Sequence, residues 1–96
     1  MFTRAIVRKP CEAMIDGIST AGLGLPDYEL ACRQHADYVT GLEGCGLAVT
    51  VLPADLEYPD GTFVEDTAIM LPSGVILTRP GAISRRGEVE RIRPTL

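Results

Sequence analysis

Tyr58-Pro-Asp-Gly-Thr-Phe-Val-Glu-Asp66 is the stretch around which the other elements of this chain are predicted to be arranged. It opens with a turn signal, because Pro, Asp and Gly favour the backbone angles of tight turns. Phe63 and Val64 then precede two adjacent carboxylates, Glu65 and Asp66, and a strand-like run follows. The two acids therefore fall in the middle of a strand pattern, where their burial is costly unless a positive group meets them.

The charges around this stretch point to a cation from elsewhere. No Lys or Arg occurs from Gln34 to Thr78, whereas that interval contains seven acids. A guanidinium is planar, permanently charged and hydrogen-bonds carboxylates in a two-pronged way, so Glu65 and Asp66 with Asp60 suit it, and Phe63 would add an aromatic wall. Exposed charges are usually solvated surface, however. From chemistry alone a solvated acidic turn is the favoured alternative, and both interpretations stay open.

Composition limits the class of protein. The 96 residues, 46% of them apolar and 23% charged, are ordinary for one soluble domain. A net charge of −4 argues against nucleic acid or an acidic membrane surface as partner. No apolar run reaches the roughly 18 residues of a membrane span, and the N-terminal apolar run is too short for a signal sequence. We therefore expect a cytoplasmic protein.

Cysteine and histidine offer no catalytic or metal site. Cys11, Cys32 and Cys45 are odd in number and lack C-x-x-C spacing, which argues against a disulfide framework and against zinc. Cys32 and Cys45 are interpreted as small core residues, whereas Cys11 falls in a loop where it could be exposed. His35 is interpreted as a core or interface histidine, since no acid or nucleophile is placed to serve it. We expect no metal and no cofactor.

One helix is strongly indicated. Asp27 is a candidate N-cap, and Gly44 or Gly46 is the candidate glycine at the other end. Between them an apolar stripe recurs at helical spacing and predicts a buried face. Its members are Tyr28, Cys32, His35, Val39 and Leu42.

The other elements complete a mixed α/β order. A strand at Phe2–Val7 is followed by a long loop at 11–25, and a second strand at Leu47–Leu52 is expected to be covered on both faces. A hairpin of Thr67–Leu71 and Val75–Thr78 has a predicted three-residue loop. A short final helix is capped by Ser84 and has Val89 and Ile92 as its apolar face. Arg85 and Arg86 lie near the start of that helix, where a carboxylate ligand is one explanation and a solvated pair engaged with Glu88 and Glu90 is another.

From Phe2 to about Glu90 the chain resembles the N-terminal part of bacterial dimethylarginine dimethylaminohydrolases. These belong to the guanidino-group modifying superfamily, with arginine deiminases and amidinotransferases. Seven segments carry this resemblance. Phe-Val-Glu-Asp followed by Thr-Arg-Pro-Gly-Ala and Ser-Arg-Arg-Gly-Glu is a specific combination. The segments are Ala5-Ile-Val-Arg8, Asp16-Gly17, Pro26-Asp27-Tyr28, Pro59-Asp60, Phe63-Val-Glu-Asp66, Thr78-Arg-Pro-Gly-Ala82 and Ser84-Arg-Arg-Gly-Glu88.

The resemblance implies a fold and a set of roles. The fold is a pentein, a five-bladed αβ propeller, in which residues 1–96 form a single N-terminal fragment holding the first blade and the start of the second. Asp66 with Glu65 would hold the substrate guanidinium, and Phe63 would line that end. Asp60 and the backbone carbonyl of Ile18 would bind the α-amino group of the substrate, and Arg85 would bind its α-carboxylate. The 11–25 loop would act as a lid.

The resemblance also implies an activity that this chain alone lacks. In the complete enzyme a cysteine would attack a methylated arginine, giving citrulline and an alkylamine through a covalent intermediate. The family's catalytic cysteine, histidine and glutamate match no residue here, so we expect the 96 residues alone to be inactive. Ile18 stands where Leu is expected, and the pattern is lost after Glu90. An arginine deiminase or amidinotransferase relative, or a non-catalytic α/β fragment that self-associates or forms a homodimer, are the alternatives.

Overall fold

The computed structural model describes residues 2–16 and 27–96 of the chain. These residues form two α-helices and four strands, connected through short 3-10 helices. They divide into two compact units, Met1–Thr62 and Phe63–Leu96. The mixture of helices and strands confirms the predicted α/β class. Within the described part of the chain, no helix has both the length and the apolar character required to cross a membrane.

Two parallel strands form the sheet of the first unit. Strand β1 (Arg4–Arg8) pairs with strand β2 (Ala48–Leu52), with Ile6 opposite Thr50. Both strands begin within two residues of their predicted starts. The expectation that β2 is covered on both faces is wrong, since Val51 is exposed. Within the described residues the strand pairs with β1 and contacts α1, and part of its surface stays open.

The connection between these strands is a helix that starts at the predicted cap. Parallel strands require a crossover, and here it includes helix α1 (Tyr28–Gly44). The Asp27 carboxylate accepts a hydrogen bond from the Leu30 backbone N–H at 3.0 Å, which satisfies one of the donors left unpaired in the first turn. Asp27 is therefore the N-cap, as predicted.

The other end of α1 is fixed by Gly46. Its φ of +87° lies in the left-handed region that glycine adopts without steric cost. The Gly46 N–H donates to the Glu43 carbonyl at 2.9 Å, and the Leu47 N–H donates to the Leu42 carbonyl at 3.3 Å. These two bonds define a Schellman motif. Gly46 is thus the glycine that ends the helix.

The apolar stripe of α1 is its better-covered face, but it is not a buried one. All five stripe residues are half-buried, while most of the other helix residues are exposed. No residue of α1 is fully buried. The periodicity therefore predicted the correct face and overestimated its burial.

The cysteines differ from expectation at all three positions. Cys32 is half-buried rather than part of a core. Cys11 is buried, with its Sγ 3.9 Å from the Tyr58 carbonyl oxygen, rather than exposed in a loop. Cys45 is exposed rather than part of a core, because it lies in the turn that follows α1. Residues 12–16 of the predicted 11–25 loop form the 3-10 helix Glu12–Asp16, and the lid assignment otherwise lies outside the described residues.

The second unit contains the hairpin. Strands β3 (Ala68–Leu71) and β4 (Gly74–Leu77) are antiparallel, and Ile69 lies opposite Ile76. The prediction of a three-residue loop is wrong, because Gly74 pairs with Leu71 and belongs to β4. The connection is therefore the two residues 72 and 73.

The acidic segment before β3 is helical rather than extended. Val64–Thr67 forms a 3-10 helix, in which the Asp66 N–H donates to the Phe63 carbonyl at 3.2 Å. The buried Thr67 hydroxyl donates to the Val64 carbonyl at 2.6 Å and closes the same turn. These local bonds compete with strand pairing, so the strand begins only at Ala68.

A short helix, α2 (Glu88–Ile92), follows the hairpin and leads into the 3-10 helix Arg93–Thr95. Val89 and Ile92 are buried, which confirms them as its apolar face. The helix contacts the 3-10 helix Val64–Thr67. Ser84 does not cap α2, since it lies in a separate 3-10 helix, Ile83–Arg85, and the residue before α2 is Gly87.

Candidate functional site

The predicted site residues are distributed over both compact units. Asp60 belongs to the first unit, whereas Phe63, Glu65, Asp66 and Arg85 belong to the second. The position of Ile18 lies outside the described residues. The second unit therefore contains most of the candidate site, and its geometry is described on its own.

Asp60 lies in a turn attached to the end of β1. The Gly61 N–H donates to the Tyr58 carbonyl at 2.9 Å, which closes the predicted turn. The Thr62 hydroxyl donates to the Arg8 carbonyl at 2.9 Å and ties this turn to the last residue of β1. Because β1 and β2 are parallel, this is the carboxyl edge of the sheet, where ligands bind in many α/β proteins.

In the second unit, Asp66 is paired with a guanidinium from the same chain. The Arg85 Nη1 lies 2.8 Å from the Asp66 Oδ2 and donates a hydrogen bond to it. The Asp66 side chain is 54% exposed, while that of Arg85 is 14% exposed. Asp66 therefore presents its carboxylate at the surface, and Arg85 reaches it from a more covered position.

Phe63 contributes two kinds of contact to the same guanidinium. Its carbonyl oxygen accepts a hydrogen bond from the Arg85 Nη2 at 3.2 Å. Its ring centroid lies 5.9 Å from the Arg85 Cζ, within the range of a cation–π interaction. A carboxylate, a carbonyl and an aromatic ring thus surround one planar cation.

Glu88 binds the opposite edge of Arg85. The Arg85 Nε donates to the Glu88 Oε2 at 3.0 Å, and the Nη2 donates to the Oε1 at 2.9 Å. This two-pronged geometry is the strongest pairing available between these groups. Glu88 is buried, at 5% side-chain exposure, and it is the first residue of α2.

The charges of this cluster do not cancel. Hydrogen bonding to Glu88, and to a smaller extent to Asp66, raises the pKa of Arg85 above its already high ordinary value, against the opposing effect of burial. Arg85 is therefore always a cation. The two carboxylates and one guanidinium sum to a charge of −1, and the exposed Glu65 adds to it.

The backbone of Asp66 is held by the end of the hairpin. The Thr78 hydroxyl donates to the Asp66 carbonyl, and the Thr78 N–H donates to the Thr67 carbonyl at 3.0 Å. Thr78 directly follows β4. The hairpin thereby fixes the segment that presents the Asp66 carboxylate.

Arg85 and Arg86, which the sequence pairs with Glu88 and Glu90, have different partners in the structure. Arg85 does engage Glu88, although the pair is buried rather than solvated. Arg86 donates to the carbonyls of Pro80 and Gly81, at 3.0 and 3.4 Å. It lies before α2, so it does not form a helical pair with Glu90, which instead pairs with Arg93.

The burial of Glu88 is not predicted from the sequence, whose pattern also suits a solvated pair with the arginines. Glu88 is nevertheless among the most buried charged residues described. The three-residue spacing from Arg85 was the available signal, since side chains at that spacing meet on one helical face. In the described residues, no group of three or more His, Cys, Asp or Glu side chains could hold a metal ion.

The chain is similar to known proteins over its whole length. No family model matches the chain. The N(G),N(G)-dimethylarginine dimethylaminohydrolase of Pseudomonas aeruginosa is 44% identical over all 96 residues, which cover 38% of its length. The chain belongs to the dimethylarginine dimethylaminohydrolase family. The enzyme of the same name from Streptomyces coelicolor is 38% identical over 87 residues, which are 88% of this chain and 33% of that protein.

The fold of these residues is similar to the matching part of a solved dimethylarginine dimethylaminohydrolase structure. A cysteine-to-serine mutant of the Pseudomonas aeruginosa protein, complexed with citrulline, matches the chain with a TM-score of 0.94 and 42% identity. The match covers 99% of this chain and 38% of that one. The chain therefore spans well under half of the length of these relatives. The matched part includes the segment 63–85.

Proposed function

We propose that this chain is the N-terminal, substrate-binding part of an enzyme that hydrolyses an N-methylated arginine to citrulline and an alkylamine. The observation that supports this best is the guanidinium already bound by Asp66 and Phe63, that of Arg85. A site that accepts one guanidinium by a carboxylate, a carbonyl and a ring is suited to a second of the same shape. The citrulline complex of the Pseudomonas relative supports the same class of ligand.

The proposed roles assign each charged group of the ligand to particular residues. Asp66, with Glu65, holds the guanidinium electrostatically in attack geometry, and Phe63 lines that end. Arg85 binds the α-carboxylate. Asp60 and the backbone carbonyl of Ile18 bind the α-amino group, and the 11–25 loop acts as a lid.

These roles require an exchange of ion-pair partners. Arg85 and Asp66 are in direct contact at 2.8 Å. When a ligand guanidinium takes Asp66, Arg85 gives up that partner and gains the ligand carboxylate in its place. Because one ion pair replaces another, the exchange leaves no charge uncompensated.

The proposed chemistry uses residues outside this chain. A cysteine thiolate adds to the guanidinium carbon, and the alkylamine leaves with a proton supplied by the catalytic histidine to give a covalent thiouronium. Water then adds to the same carbon and gives one proton back to that histidine and one to solvent, the thiolate is expelled, and citrulline is released. The 96 residues are thus one portion of a five-bladed propeller, the first blade and the start of the second, in a cytoplasmic enzyme without a cofactor.

Binding to the chain itself tests the proposal. We expect Nω,Nω-dimethyl-L-arginine, titrated into the isotope-labelled chain, to shift the NMR signals of residues 63–66, while no citrulline is released. Asp66→Asn should weaken binding about tenfold or more, since a charge-assisted hydrogen bond is lost. Asp37→Asn, the same charge change at an exposed position of α1, is the control. Equal binding by Asp66→Asn, or citrulline formed by the purified chain, would overturn the proposal.

Two alternative functions would give different results in these experiments. An arginine deiminase or amidinotransferase relative would favour unmethylated arginine in the same titration, and a hybrid carrying the rest of the Pseudomonas protein would release ammonia or transfer an amidino group instead of releasing dimethylamine. A non-catalytic, self-associating fragment is favoured by the exposed apolar residues of the hairpin. That alternative predicts association without ligand binding.

A further inference from the structure

Two arginine–glutamate pairs in the second unit share one geometry and differ in burial. Arg85 and Glu88 form two hydrogen bonds of 3.0 and 2.9 Å. Arg93 and Glu90 form two of 3.1 Å each, at the same three-residue spacing. The side chains of the first pair are 14% and 5% exposed, whereas those of the second are 57% and 67% exposed.

The burial of Glu88 requires a reason, because removing a carboxylate from water is unfavourable unless a well-placed partner compensates its charge. An exposed pair such as Arg93–Glu90 contributes little. In a less polar environment the same two hydrogen bonds are stronger and more directional. Glu88 is therefore able to fix the orientation of Arg85, which Glu90 cannot do for Arg93.

We infer that Glu88 is a positioning residue that holds the Nε–Nη2 edge of Arg85, so that the Nη1 side faces Asp66 and can receive a ligand carboxylate in its place. This inference rests on the proposed function, because it assigns the reason for which Arg85 is held. Arg85 is the group that would touch the ligand, and Glu88 acts through it.

The exchange of partners at Arg85 shows why such a residue is needed. When a ligand guanidinium takes Asp66, the contact at Nη1 is lost, whereas the two contacts to Glu88 do not involve Asp66. Arg85 then remains compensated and oriented while the ligand carboxylate arrives. Without Glu88, Arg85 would follow Asp66 and compete with the ligand guanidinium for it.

The first test uses the unaltered chain. In the isotope-labelled protein, we expect the Nε–H proton of Arg85 to exchange with water at least about tenfold more slowly than that of Arg93, because a buried two-pronged bond must open before exchange occurs. Arg93 is the internal control for spacing and geometry. Equal exchange rates would overturn the inference without any variant having to fold.

The second test measures selectivity for the carboxylate. We expect the native chain to bind Nω,Nω-dimethyl-L-arginine about tenfold more tightly than its carboxamide, since a charge-assisted pair with Arg85 is lost in the carboxamide. Glu88→Gln should reduce that ratio to about twofold or less, while Glu90→Gln should leave it unchanged. An unchanged ratio in Glu88→Gln would overturn the role of Glu88.

The outcomes separate this inference from the proposed function. If the native chain binds both ligands but Glu88→Gln keeps the ratio, the guanidinium site stands and the positioning role falls. If the native chain binds neither ligand, the proposed function falls, and the ligand-directed role of Glu88 falls with it. Slow exchange at Arg85 would then show only a structural anchor.

Discussion

His35 lies on the half-buried face of α1, where its surroundings disfavour the charged form. Burial, followed by the positive charge of Lys9, lowers the pKa of His35 below its ordinary value of 6.5. Its ring meets the Tyr38 ring edge-on, with the centroids 6.3 Å apart. A neutral imidazole at pH 7 agrees with its interpretation as a packing residue.

The pKa of His35 gives a prediction with a definite sign. The unfolded chain binds the proton more readily, so the contribution of His35 to stability is complete above pH 6.5 and is lost as the pH falls from there toward the lower folded pKa. NMR titration of this single histidine should give a value below 6.5. Lys9→Met should raise it partway, because burial is the larger cause. A native value at or above 6.5 would contradict this account.

The chemistry of individual site residues was only partly accessible from the sequence. The adjacent acids Glu65 and Asp66 suggested a guanidinium, and the structure places a guanidinium on Asp66. That the cation is Arg85 could not be derived from local pattern, because the two residues are 19 positions apart. The burial of Glu88 likewise depends on how α2 lies against Val64–Thr67, which spacing alone does not specify.

At the scale of elements, the ends of α1 were predictable because their signals are local. The Asp27 cap and the Gly46 turn are each completed by residues within five positions along the chain. The 3-10 helix Val64–Thr67 and the two-residue hairpin loop were not predicted. In both places the local pattern also suits an extended segment or a longer loop, and a few hydrogen bonds decide between them.

Replacing glycine by alanine should have opposite effects on stability at Gly41, within α1, and at Gly46, just after it. A methyl group at Gly41 or at Gly46 would meet no atom within 4 Å, so only the backbone differs. Gly46→Ala forces alanine to a φ of +87° and should cost about 1 kcal/mol. Gly41→Ala, inside the helix, should stabilise by about 0.5–1 kcal/mol.

Thermal unfolding followed by circular dichroism measures both glycine variants. A change of about 1 kcal/mol corresponds to roughly 4–8 °C in a domain of this size. The Tm should fall for Gly46→Ala and rise for Gly41→Ala. Two shifts of the same sign would show that the Schellman motif does not determine where α1 ends.

At the scale of the whole molecule, much apolar surface stays open among the described residues. Each of the two sheets has two strands, and a two-stranded hairpin is marginal in isolation. Ile69 and Ile76, which are paired across the hairpin, are each 52% exposed. The 96 residues span 38% of the length of the Pseudomonas relative.

This exposed hairpin predicts concentration-dependent self-association of the 96-residue chain. Its apolar side chains and open strand edges are features that favour pairing with other chains. The double variant Ile69→Lys, Ile76→Lys should reduce the apparent mass in light scattering, because two charges would have to be desolvated on association. Leu56→Lys replaces an exposed apolar residue outside the hairpin and is the matched control, expected to leave the mass unchanged. A native chain that remains monomeric as its concentration rises would contradict the prediction, and equal effects of the two variants would assign the association to general hydrophobicity rather than to β3 and β4.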